Sequence, residues 1–89
     1  MKDAYIIYND SKIIDTIKHS DLNEECFFHF INNLKEKRKA YSIKEEWGAR
    51  LAPFIALYED GKMLKGFYTE ADNNVIDSFI KYLNEKDKN

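Results

Sequence analysis

One cysteine, one proline and three glycines are all that this 89-residue chain holds of the residues that staple or punctuate a fold. A single cysteine, Cys26, cannot close an internal disulfide, so no covalent cross-link is available to support the structure. No run approaches the roughly 20 apolar residues that span a bilayer. The opening stretch MKDAYIIYNDSK has an acidic residue at Asp3 and too short an apolar segment for a signal peptide. The protein is therefore expected in the cytoplasm, with no membrane partner. An excess of one charge is missing too. Fourteen basic residues against 16 acidic ones leave a formal net charge of −2, and no global field draws the chain to nucleic acid. There is also no Gly-rich phosphate loop, no Ser/His/Asp arrangement and no convincing carboxylate pair, so nothing in the sequence points positively to catalysis.

What is present is apolar and aromatic. At 44% hydrophobic and 15% aromatic the chain is too rich in large buried-type side chains to be disordered. One globular domain is expected over residues 1–86, with 87–89 a charged tail. A domain of this size buries only about 60 to 65% of its unfolded surface, so its stability is expected to be modest.

Residues 4–8, AYIIY, read as a buried strand. Residues 11–19 read two ways. Ile13, Ile14 and Ile17 would share one face of a short helix, yet YNDSKIIDTI has the same order of aromatic, turn residues, lysine and apolar pair as YEDGKMLKGF at 58–67. That echo tips the reading toward a hairpin return. Next, Asp21 and Glu24 have the spacing of a capping box, and Phe27, Phe30, Ile31 and Leu34 fall at i, i+3, i+4 and i+7. Glu24 and Glu25 in a first turn and Lys35, Lys37 and Arg38 in a last one complement a helix dipole, and together these signals predict a helix over 22–37. KAYSIKE alternates Tyr41 and Ile43 with polar neighbours and predicts a strand with one solvated face. Phe54 to Tyr58 reads as an apolar strand, Glu59 to Lys62 as a tight turn, and Met63 to Tyr68 as the antiparallel partner. Gly61 would make the turn and Gly66 relieve a crowded or bulged position. Val75, Ile76, Phe79, Ile80 and Leu83 predict a last helix, capped by Asp72 or Asn73.

The stretch WGARLAPFIALYEDGK, residues 47–62, gathers the only proline and two of the three glycines around one apolar run. Pro53 directly precedes a strand that reads as buried, where a residue without a backbone donor is normally excluded; the strand's first position, after a sharp turn, tolerates it. An aromatic, Gly48, a spacer, Arg50, two further residues, Pro53, an apolar strand, an acidic-Gly turn, a second strand and an amphipathic helix come in that order. Over about residues 41–85 this order resembles the C-terminal half of the thioredoxin-like superfamily. The resemblance implies a small thioredoxin-like α/β fold: a mixed central sheet of about four to five strands with a C-terminal hairpin and two main helices. It further implies that Pro53 is cis and that the Ala52 backbone pairs with an extended peptide. The plain alternative is a trans proline that merely starts a strand.

Two departures bear on function. Oxidoreductases of that superfamily carry a Cys-x-x-Cys pair, or one cysteine, at the start of the helix after the first central strand, where the dipole lowers the thiol pKa. This chain has no pair, and Cys26 would stand in the second turn of the predicted helix, behind Glu24 and Glu25. Only EEWGARL separates KAYSIK from Pro53, too little for the helix that usually stands there. The expectation is a shortened version of the fold without its usual chemistry.

The remaining candidates each have a plain reading beside the functional one. Trp47, next to Gly48, suits a binding hot spot or ordinary core packing. Arg50 suits an acidic partner or a local pair with Glu45 or Glu46. Cys26 and His29, one helical turn apart, fall two ligands short of a tetrahedral metal set. The run KEKRK at 35–39 belongs at a helix end rather than on a nucleic-acid surface. The sequence thus reads as a non-catalytic protein-interaction or structural module, a small subunit of a larger assembly, viral ones included, in which case it would act in host cytoplasm or virion. Trp47, Arg50, Ala52 and Pro53 are its expected contacts to a protein partner, in a homo- or hetero-oligomer, with no cofactor, metal or nucleic acid. The competing reading is a single-cysteine redox or glutathione-linked enzyme using Cys26.

Overall fold

The first apolar run forms strand β1, Lys2–Tyr8, in a computed structural model that describes residues 1–20, 22, 25–71 and 74–86. After it come helix α1 (Lys12–Lys18), strand β2 (Cys26–Asn32), helix α2 (Lys37–Trp47), strands β3 (Phe54–Glu59) and β4 (Lys62–Phe67), and helix α3 (Val75–Lys86). The four strands make one mixed sheet in the order β2-β1-β3-β4. β1 runs parallel to β2 and antiparallel to β3, and β3 and β4 form a hairpin.

Three expectations for the first half are corrected. Residues 11–19 form a helix and not a hairpin return. The echo with 58–67 breaks at the turn: Asp60 and Gly61 both take positive φ (52° and 81°), as a two-residue hairpin loop requires, whereas Ser11 is right-handed helical at φ −64°. Ile13 and Ile17, one turn apart, are buried instead. The predicted helix over 22–37 is replaced by β2 and the start of α2. A short, mostly apolar run satisfies either period; here the stripe that a helix would have buried leaves Phe27 46% and Leu34 63% exposed, while Phe28 packs on the core. Asn32 ends β2 by accepting the Leu34 and Lys35 N–H groups on its Oδ1, and Glu36 Oε2 accepts from the Asn32 N–H. Lys37 and Arg38 therefore open a helix rather than close one.

KAYSIKE, expected as a strand, lies within α2. Ala40, Ile43 and Trp47, at i, i+3 and i+7, face the sheet, and Tyr41 points to solvent. Gly48 ends this helix in the left-handed conformation (φ 68°), a helix C-terminal signal available in the sequence. The linking helix for which EEWGARL leaves too little room is thus α2 itself, begun ten residues earlier at Lys37 than Trp47. In the second half, β3, β4 and α3 come in the expected order, and Asn74 Oδ1 caps α3 by accepting from the N–H groups of Ile76 and Asp77. The Asp21–Glu24 capping box, the Asp72 or Asn73 cap and the 87–89 tail lie outside the described residues.

Alternation along the strands builds two cores. Ala4, Ile6, Ile55, Leu57 and Phe67 meet Ile13 and Ile17 of α1 and Val75, Phe79 and Leu83 of α3 on one face. Ile7, Ile31, Phe54 and Ala56 meet Ala40 of α2 on the other. Among the described residues no helix is long and apolar enough to cross a membrane.

Candidate functional site

β1 and β3 are paired so that Ile7 lies opposite Phe54, which brings the end of β1 beside the start of β3. The turn leaving β1 and the loop entering β3 therefore meet at one end of the sheet. The Ala52–Pro53 peptide bond is cis. A cleft of about 290 Å³ separates Pro53 from the β1–α1 turn, lined by Asn9, Asp10, Lys12, Thr16 and Ile76 among others.

Both walls are fixed by hydrogen bonds. The Asn33 amide donates to Asn9 Oδ1 (3.0 Å) and its backbone N–H to the Tyr8 carbonyl (2.8 Å), tying the turn to the end of β2. Asp10 Oδ1 accepts from the Lys12 N–H (3.0 Å) at the start of α1. Across the cleft, the Thr69 hydroxyl donates to the Pro53 carbonyl. The Ala52 N–H and C=O make no hydrogen bond among the described residues. Arg50 and Leu51 beside it are exposed, Leu51 at 60%.

Trp47 supports this loop from below. Its ring packs on Phe54 and edge-on against Tyr58, with centroids 6.1 and 5.6 Å apart. Its Nε1–H donates to Tyr58 Oη (2.9 Å), and the Tyr58 hydroxyl donates to Glu46 Oε1 (3.0 Å). Burial raises the Tyr58 phenol pKa; the Trp47 N–H opposes that shift and Glu46 adds to it. The Tyr68 hydroxyl donates to the Trp47 carbonyl. Gly66 explains the ring's closeness to the sheet, because a Cβ there would lie 2.9 Å from Trp47 Cε3. The plain reading of Trp47, packing, describes its surroundings. Arg50 forms no ion pair with Glu45, Glu46 or any other described residue.

Cys26 stands elsewhere. It pairs with Lys2, five residues along β1 from Ile7, or roughly 17 Å from the Pro53 end. Burial, and then the nearby Asp3 carboxylate, pushes its thiol up to about 11. On a strand, Cys26 and His29 point to opposite faces, so the expected one-turn neighbours do not converge. His29 Nε2 instead meets Asp3 Oδ1 at 3.0 Å and its ring stacks on Tyr5, centroids 4.4 Å apart. Among the described residues no three His, Cys, Asp or Glu side chains gather as a metal site needs.

The comparisons fit this arrangement of elements. A solved structure of a point-mutant thioredoxin from Halobacterium salinarum NRC-1 superposes with a TM-score of 0.56, covering 93% of this chain and 74% of that one. The fold is thioredoxin-like. At 13% identity the likeness speaks for the fold alone. No family model matches the sequence, and comparison with curated proteins gives no match. Within a thioredoxin-like frame, the cleft beside Pro53 lies at the turn after the first central strand, where Asn9, Asp10, Ser11 and Lys12 stand and no cysteine does. Sequence reasoning pointed to Ala52 and Pro53, which line or adjoin this cleft, and did not single out the opposite wall or Leu51. Asp10 preceding a helix was a usable signal, masked by the hairpin reading.

Proposed function

We propose that this chain is a non-catalytic thioredoxin-like module that binds an extended segment of a protein partner at the Pro53 corner. The observation that carries the reading is the pairing of an unengaged Ala52 backbone with a cleft whose facing turn holds no thiol. An extended segment laid along the loop would pair with Ala52, pack on Pro53 and meet Arg50 and Leu51 at the rim, with Trp47 holding the loop in shape. The same reading takes the protein as a small cytoplasmic subunit of a larger assembly, cellular or viral.

The test is a native pull-down with partner stoichiometry read by mass spectrometry. A stoichiometric protein should be recovered equally by wild type and Cys26→Ser, and lost by Arg50→Glu/Leu51→Asp, whose exposed positions leave the fold intact. Recovery indifferent to the double variant would sink the reading. The redox alternative has its own readout. Raising a thiol from the ordinary 9.0 to about 11 leaves a roughly hundredfold smaller thiolate fraction near neutral pH, so Cys26 should alkylate about two orders of magnitude more slowly than a free thiol. Alkylation faster than a free thiol, with clients lost in Cys26→Ser, would restore the enzyme reading.

A further inference from the structure

The sheet ends in two strands that differ in the features that discourage pairing with another chain. β4 carries exposed lysines at 62 and 65, a glycine at 66 and an irregular register where Leu57 and Tyr58 face it. Such charges and irregularities are how natural edges are blunted. β2, CFFHFIN, has none of them. It contains no acidic residue, lysine, arginine, glycine or proline, it matches β1 in unbroken register over all seven residues, and among the described residues no strand lies on its outer side. A long, straight, aromatic edge of this kind is a ready template for another strand.

The charges flanking β2 indicate which strand. Exposed Glu25 stands just before it, and the exposed run Lys35, Glu36, Lys37, Arg38 and Lys39, basic on balance, just after. We propose that β2 pairs antiparallel with β2 of a second copy of this chain, on a two-fold axis through His29. Antiparallel pairing brings the acidic start of each strand to the basic end of the other, whereas parallel pairing would set like charges together. In this register Phe28 meets Phe30 of the second copy on the α1/α3 face, and Phe27 meets Ile31 of the second copy on the α2 face. Aromatic and branched cross-strand pairs of this sort stabilise sheets. The His29 ring lies inward over β1, stacked on Tyr5 and bonded to Asp3, and so leaves the axis uncrowded. The result is one eight-stranded sheet. Because the contact is isologous it uses both β2 edges and closes at two copies, with the lysine-bearing β4 strands outermost. This surface is separate from the Pro53 corner, so either proposal can fail without the other.

The full-length chain, followed by sedimentation velocity over a range of concentrations, should move from monomer to dimer and stop there. Phe27→Lys, at a half-exposed position that tolerates charge, should weaken the dimer at least tenfold while thermal unfolding stays within a few degrees of wild type. In a Cys26→Ser background, His29→Cys should give a disulfide-linked dimer under mild oxidation, since facing residues of an antiparallel pair have Cα atoms about 4.5 to 5.5 Å apart, within disulfide reach. Phe27→Cys in the same background should not, its two copies being about 13 Å apart along the sheet. A chain that remains monomeric, including one that pairs only with another protein's strand, overturns the proposal. So does open-ended aggregation, or cross-linking at 27 as efficient as at 29.

Discussion

The two faces of the sheet share a hydrocarbon centre and differ in what borders it. Beneath α1 and α3 the fully buried side chains are hydrocarbon: Ala4, Ile6, Ile17, Ile55, Leu57, Phe79 and Leu83 are at most 1% exposed. Over the other face a smaller hydrocarbon centre, Ile7, Ile31, Ala40, Phe54 and Ala56, is bordered by partly buried rings with polar tips, Trp47, Tyr58 and Tyr68, whose tips are hydrogen-bonded to one another, to Glu46 or to backbone. Cover explains the difference. Two helices exclude water from one side, whereas a single helix of 11 residues, about 16 Å long, lies over the other, where Asp3, Phe27 and His29 stay partly exposed. A half-wet surface suits side chains that are apolar in body and polar at one end. Packing density holds the first face, and satisfied polar tips as well as packing hold the second.

Substitutions that treat the faces alike should therefore give unlike results. Phe79→Ala, on the dry face, removes a ring that touches Phe28 and Phe67 edge-on and should cost about 3 to 5 kcal/mol, read as a large fall in the urea midpoint. Gly66→Ala adds a single methyl under Trp47 and should cost about 1 to 3 kcal/mol by overpacking. Trp47→Leu removes one of the two rings that methyl would meet, the other being Tyr68 at the same 2.9 Å, so the double variant should lose less than the sum of the two singles, and strict additivity would show that Tyr68 alone resists the methyl. Tyr58→Phe keeps the ring but leaves the Trp47 N–H without its acceptor; about 0.5 to 1.5 kcal/mol is expected, together with altered emission from the only tryptophan. An equal cost from Tyr58→Phe and Phe79→Ala would erase the distinction between the faces.

The same contrast explains what could be read from the sequence. The β3–β4 hairpin and α3 were legible because Asp60-Gly61 can take positive φ and because α3 packs one clean stripe on the dry face. β2 and α2 were not. Phe27, Phe28, Phe30 and Ile31 belong to an apolar run that fits helical spacing and strand alternation alike, and only the sheet decides that Phe28 and Ile31 go to opposite cores. In α2, Tyr41 is on the solvent side, so the apparent alternation with Ile43 was accidental, and the informative spacing was Ala40, Ile43, Trp47 ending at Gly48. At the candidate site, Pro53 and Ala52 were visible because proline before a buried strand is rare. Its opposite wall, Asn9 to Lys12, was hidden because its role depends on a strand pairing between distant parts of the chain, Tyr5 with Ala56 and Ile7 with Phe54.

β1, made before the other three strands of the sheet, lies inside it between β2 and β3. During synthesis it can find β2 early, but its other neighbour comes only after α2, and α3 must emerge before Ala4 and Ile6 are covered. A nascent chain ending at Gly48 would hold β1 and β2 side by side with none of Phe54, Ile55, Leu57, Phe67 or Phe79 to close either core. The half-made protein should therefore show, beside the β2 edge that no described strand covers, a second bare edge on β1 until β3 emerges.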